Sequence, residues 1–312
     1  MPSGMHPWME PARETRLWPH DTGPVYRAYD RLFDCRRHGW ANLQSVHLNL
    51  PFCGEEEFAR LLAAVRLVLP LIPALAASSP IVEGRVTGRL DSRLEAYRTN
   101  AERTPGMTGD VIPEPIFSFD EYQRVVLGGI DRELEALGAD GILRGQEWTN
   151  ARGAIARFDR MAVEIRLVDA QECARADLAI AAALAGLVRA LVEERWTGCA
   201  VQRAVPTEAL SSLLLRTIVT GPATELDDPG FAALFGQDPS RAPTVGALLA
   251  RVLETSFADA VELEEPLQLM LRGGTLAQRI LTATGPEPDR RALHAVYGAL
   301  CDCLEEGQLF RP

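Results

Sequence analysis

The stretch Met161-Ala-Val-Glu-Ile-Arg-Leu-Val-Asp169 alternates with a period of two, the mark of a half-buried β-strand. Met161, Val163, Ile165 and Leu167 make one apolar face, which leaves Glu164 and Arg166 side by side on the other, about 7 Å apart along the strand. The preceding segment, Ala151 to Phe158, reads as a second strand joined to the first by a tight turn at Asp159-Arg160. A two-residue turn there sets Arg157 opposite Ala162 and diagonal to Glu164, whereas a slip of one residue sends Arg157 to the other face. Further upstream, Asn42 to Phe52 alternates in the same way. Gln44, Val46, Leu48 and Leu50 lie on one side, and Leu43, Ser45, His47 and Asn49 on the more polar one.

Helical patterns surround these strands. Glu55, Glu56 and Glu57 open a helix where negative charge favours its dipole, and Phe58, Leu61, Leu62, Val65 and Leu69 continue it until Pro70 and Pro73 bend or end it. Phe119 to Leu137 reads as helix, and Val25 to Cys35 suits a short one. After Asp169, helices are expected over 175–196, 207–220, 245–255, 275–284 and 289–306. Residues 82–115 have no clear period and are broken by Gly84, Gly88, Pro105, Gly106, Gly109, Pro113 and Pro115, so a long loop of the kind used as a lid or binding segment is expected there. Gly4 to Trp8 reads as the end of a strand entering a loop. The order predicts an α+β fold in one domain over 1–312, with the sheet, the loop and the site-forming helices in 1–170 and a mainly helical part in 171–312.

Composition narrows the function. The 312 residues are 47% hydrophobic and 24% charged, as in a soluble chain that buries a core, and the formal charge of -11 has the wrong sign for nucleic acid or an anionic membrane surface. No lysine occurs, so every one of the 32 basic side chains is arginine. That excludes a Walker A loop, a pyridoxal Schiff base and a kinase-type phosphate lysine, and leaves guanidinium as the group that grips carboxylates and phosphates. Six cysteines without a C-x-x-C pair, together with a start lacking any apolar leader, lead to the expectation of a reducing, cytoplasmic setting. Leu178 to Val188, the longest apolar run, is too short to span a membrane.

Three sets of residues are able to carry chemistry, and each has a plainer reading. Glu164 beside Arg166 is either a metal-ligating carboxylate next to an anion-binding guanidinium or a solvated ion pair. His47 joins Glu164 in an oxygen- and imidazole-rich site suited to Mg²⁺ or Mn²⁺ if their strands share a sheet; otherwise it is a hydrogen-bonded structural histidine. The run from Glu83 to Asn100 sets Arg85, Arg89, Arg93 and Arg98 among glycines, either as an arginine-bearing lid or as an exposed charged loop.

In their order, several stretches resemble the type 2 glutamate-cysteine ligase family of bacterial carboxylate-amine ligases. They are Gly4-Met-His-Pro7, Gln44-Ser-Val-His-Leu-Asn49, Ala76-Ala-Ser-Ser-Pro80 with Gly84, Arg89 to Arg93, Trp148, Val163-Glu-Ile-Arg-Leu-Val-Asp169 and Gly273-Gly-Thr-Leu276. The resemblance implies a glutamine-synthetase-like antiparallel sheet curved into a funnel. It further implies ATP and Mg²⁺ or Mn²⁺ as cofactors, and glutamate with an amine, typically that of cysteine, as substrates. Its members phosphorylate the glutamate γ-carboxylate and let the amine displace the phosphate. Carried over by position, His47 and Glu164 are metal ligands and Arg166 touches the transferred phosphoryl or the glutamyl carboxylate. Arg89, Arg93 and Arg157 are substrate contacts on the same basis. The family's opening G-x-E-x-E strand has no counterpart in these 312 residues. The expectation is therefore a ligase whose opening strand comes from an upstream extension or a partner copy, in a possible homo-oligomer, or else a non-catalytic amino-acid- or partner-binding module of the same fold.

Overall fold

The structure, a computed structural model, describes residues 1–139, 141–256 and 261–312. Five strands are present among them: β1 (Ser45–Pro51), β2 (Ile81–Val82), β3 (Arg85–Val86), β4 (Ala154–Arg157) and β5 (Ala162–Asp169). β5 runs antiparallel between β1 and β4 in a three-stranded sheet, while β2 and β3 form a separate small hairpin. The longest strand of the three takes the middle, where both its edges are paired.

The β1–β5 register carries a bulge. Val46 opposes Val168 and Leu48 opposes Ile165, so β5 spends one more residue than β1 between these pairs. The alternation expected from Met161 onward holds for Val163 and Ile165, which share the core face with Leu50 and Leu48, and then resumes at Val168 beside Val46. Met161 itself sits exposed in the turn at φ 51°. That turn is longer than the expected two residues, because residues 158–161 lie outside the strands. Arg160 N donates to Arg157 O, and Met161 O is taken by Phe52 N at 3.0 Å. Arg157 nonetheless keeps its place opposite Ala162.

Helices cover the apolar side of the sheet. Gly54–Val68 packs on β5, and Ala174–Val192 packs on β1 and on Gly54–Val68. The helices Val245–Ser256 and Val261–Gly273 lie against Ala174–Val192 in turn. The C-terminal pattern was read closely from sequence: Thr207–Thr220, Leu276–Thr284 and Arg290–Glu306 form as expected, and Thr275 closes a capping box with Gln278. Val261–Gly273 was not foreseen; Pro266 inside it broke the pattern that would have announced it. No helix among the described residues is long and apolar enough to cross a membrane.

Two N-terminal expectations need correction. Residues 82–115 are not a long irregular loop, since they contain the β2–β3 hairpin and the helices Ser92–Thr99 and Pro105–Thr108. Asp91 starts the Ser92–Thr99 helix by accepting the Leu94 N–H at 2.9 Å, and the Arg93 side chain is only 1% exposed, so the segment is tied down by packing that its local pattern does not express. Gly4 to Trp8 is not a strand end: Gly4 runs beside the start of β1, its carbonyl accepting from Gln44 N at 2.9 Å and its N–H donating to Ser78 Oγ at 2.7 Å.

Candidate active site

β5 presents Glu164 at the middle of the sheet, directly opposite Asn49 on β1 and Ile155 on β4. His47 shares this face, and its Nδ1 lies 3.2 Å from Glu164 Oε1. From β4, Arg157 Nη1 donates to Glu164 Oε2 at 3.0 Å. Two residues along β5, Arg166 Nε donates to Oε1 at 2.7 Å. Arg160, at the turn, stands 3.9 Å from Oε2. The strand register is what brings these groups together, so His47, Arg157, Glu164 and Arg166, chosen from sequence, converge on one carboxylate.

The electrostatics follow from that convergence. Glu164 is 4% exposed while His47 is 42% exposed, so the cluster sits where the sheet meets solvent. Burial by itself would raise the Glu164 carboxyl, but hydrogen bonds and charge from His47 and Arg166 outweigh it and bring the group down to about 2. Arg157 is held protonated more firmly than a free arginine: burial opposes its charge, and Asp159 and Glu164 overcome that. Asp159 grips it at both Nη2 (3.0 Å) and Nε (3.2 Å), and Glu147 lies 3.5 Å away. Arg166 is steadied by donation from Nη1 to the Asn150 carbonyl at 2.8 Å. Sequence reading missed Asp159, Glu147 and Asn150. Asp159 carried a signal, being two residues from Arg157 in the turn, but Glu147 and Asn150 reach the site from the single 3₁₀ turn Glu147–Thr149 and the residue that ends it, too short to show a period.

The remaining two arginines stand elsewhere. Arg89 is half-buried with its Nε 3.9 Å from Glu95. Arg93 is buried beside the sheet, its Nε bonded to Asp169 and its Nη1 3.5 Å from the Arg166 carbonyl. Its donors serve the frame that holds β5.

As arranged, the cluster does not fit a divalent cation. His47 and Glu164 offer two donors, and no group of three His, Cys, Asp or Glu able to hold a metal occurs among the described residues. Both Glu164 oxygens already accept from guanidinium, so a cation there would displace an arginine and sit against the other. What the arrangement does suit is an anion: two guanidinia fixed in orientation by a shared carboxylate on a sheet face open at His47.

A fixed pair of guanidinia on the face of an antiparallel sheet suits carboxylate or phosphoryl groups. More particularly, residues 2–299 match glutamate-cysteine ligase family 2, and the chain belongs to that family. An uncharacterized protein of Archaeoglobus fulgidus is 35% identical over 307 residues, which cover 98% of this chain and 75% of the relative. Family membership points to a carboxylate-amine ligase.

Proposed function

We propose that the protein is an ATP-dependent carboxylate-amine ligase of the glutamate-cysteine type, working in the cytoplasm, with its sheet forming part of a glutamine-synthetase-like funnel. The observation that carries this reading is the pair Arg157 and Arg166, locked on Glu164 at the sheet face of a chain of this family. In the reaction, a glutamate γ-carboxylate oxygen attacks the terminal phosphorus of ATP and ADP leaves. The amine nitrogen then attacks the acyl carbon, the C–O bond to phosphate breaks, and the amine gives up a proton as the amide forms. Charge builds on the phosphoryl oxygens and then on the tetrahedral carbonyl oxygen, and in this reading Arg166 neutralises it. Arg157, with Nε and Nη2 on Asp159 and Nη1 on Glu164, fixes the Glu164 carboxylate that in turn aims Arg166. Glu164 serves by aiming both guanidinia, a role independent of any metal.

The test is phosphate release from ATP and Mg²⁺ by the purified chain with glutamate and a panel of amino acids. Release that requires both glutamate and one amine is the expected result. Arg166→Lys then loses about tenfold or more in kcat/KM, because an ammonium cannot reproduce the fork. Phosphate release independent of glutamate, or none at all, overturns the ligase reading. A calorimetric signal for glutamate without turnover would instead favour the non-catalytic binding module.

A further inference from the structure

An arginine-walled cavity of about 600 Å³ shares no residue with the Glu164 cluster. Three chain segments build it. Trp8, Glu10 and Arg13 come from the N-terminal segment, Arg36, Arg37 and His38 from the turn after the helix Gly23–Phe33, and Glu83 and Arg85 from the β2–β3 hairpin.

Each wall is fixed by backbone chemistry. Glu83 and Gly84, at φ 49° and 77°, form a turn with both central residues left-handed, the kind that matches strand twist in a two-residue hairpin. Gly84 N donates to Pro7 O at 2.7 Å, which pins the hairpin tip to the N-terminal segment and sets where Arg85 emerges. In the turn after the helix, Asp34 closes its helix at φ 54°, and Cys35 N donates to Asp30 Oδ1 at 3.0 Å.

The charges do not cancel. Glu10 is taken by Arg13 at 2.9 Å and Glu83 lies 3.4 Å from His38. Arg37 is partly spent on the Phe33 carbonyl at 3.0 Å and on Glu102 at 3.8 Å. The guanidinia of Arg36 and Arg85 are exposed and have no partner among the described residues. Two unpaired guanidinia facing one cavity repel each other, and in a chain of net charge -11 no general excess of cations explains them.

We propose that this cavity binds a small oligophosphate group. A carboxylate offers its oxygens along one planar edge and suits one fork, whereas a phosphate chain offers oxygens in several directions and can be reached by guanidinia from two segments at once.

Calorimetric titration of the full chain with inorganic triphosphate, at fixed ionic strength and without divalent cation, tests the assignment. Saturable one-to-one binding is expected, at least about tenfold tighter than citrate and weakened about tenfold or more in Arg36→Gln/Arg85→Gln. The Arg36→Lys/Arg85→Lys variant, which keeps the charge, falls between the two, and circular dichroism checks that both variants remain folded. Arg166→Lys, which disables the proposed ligase site, retains the triphosphate binding that depends on Arg36 and Arg85, so the two readings fail separately. Absence of saturable binding, equal affinity in the Gln double variant, citrate binding as tightly as triphosphate, or a loss confined to Arg166→Lys would each overturn the proposal.

Discussion

β5 carries two buried carboxylates, Glu164 near its start and Asp169 at its end, and they do opposite work with similar partners. Asp169 is 0% exposed and is closed in on every side. It accepts from Arg93 Nε, from Ser78 N at 2.9 Å and from Ser79 Oγ at 2.8 Å, while Asp91 alongside is pushed well up by its burial and by the Asp169 charge. This end bolts the Ser92–Thr99 helix and the N-terminal segment to the sheet. Glu164 also satisfies arginines, but its partners lead outward to half-exposed His47 and to Arg160, 56% exposed. One ion pair closes a frame and the other holds guanidinia at an open face. The difference lies in what surrounds the pair, since the chemistry of the bond is the same.

The heaviest loss of stability comes from Asp169→Asn, which leaves Arg93 charged and buried without its partner. A cost of about 3–5 kcal/mol in chemical denaturation is expected. Gly4→Ala attacks the same end sterically, because a Cβ there would clash with the Asp169 carboxylate; up to about 3 kcal/mol should be lost by the same measurement. Glu164→Gln costs less, about 2 kcal/mol at neutral pH, since Arg157 and Arg166 retain Asp159 and the Asn150 carbonyl. Its pH dependence is the sharper mark. The folded Glu164 carboxyl lies below its unfolded value, so its contribution is fully present above the unfolded pKa near 4.5 and disappears as pH falls towards about 2. The gap between wild type and Glu164→Gln in denaturant midpoint should therefore close over that interval; a gap that stays constant would break the comparison. Smallest of all, Arg160→Gln should change stability by less than about 0.5 kcal/mol, as expected of an exposed cation 3.9 Å from its partner.

Much of this was legible in the sequence, and the parts that were not share a cause. The alternation in β1 and β5 placed His47, Glu164 and Arg166 on one face, and the turn placed Arg157 diagonal to Glu164 even though its length was misjudged. The long C-terminal helices announce themselves because each carries its own apolar stripe. The Ser92–Thr99 helix does not: its stability comes from the Asp91 cap and from a bond between Arg93 and a carboxylate 76 residues away, so its arginines read as a free lid. The same distance hid that Arg93 serves the frame. The Glu164 cluster exposed the reverse problem, for residue types that suit a metal in sequence are found with guanidinium on both carboxylate oxygens.

The extra residue in β5 decides which side of the sheet its last carboxylate takes. Glu164 and Asp169 are five positions apart, an odd number, and strict alternation would send them to opposite sides of the sheet. Because Asn49 opposes Glu164 and Ser45 opposes Asp169, they share one side, and only the bulge between them makes that possible. Deleting a single codon within Arg166-Leu167 would leave the composition of the strand almost intact, yet it would swing Asp169 away from Arg93 and strand both in the wrong layer. Over this stretch the count of residues matters as much as their identity, and a substitution scan will find it far more forgiving than a scan of deletions.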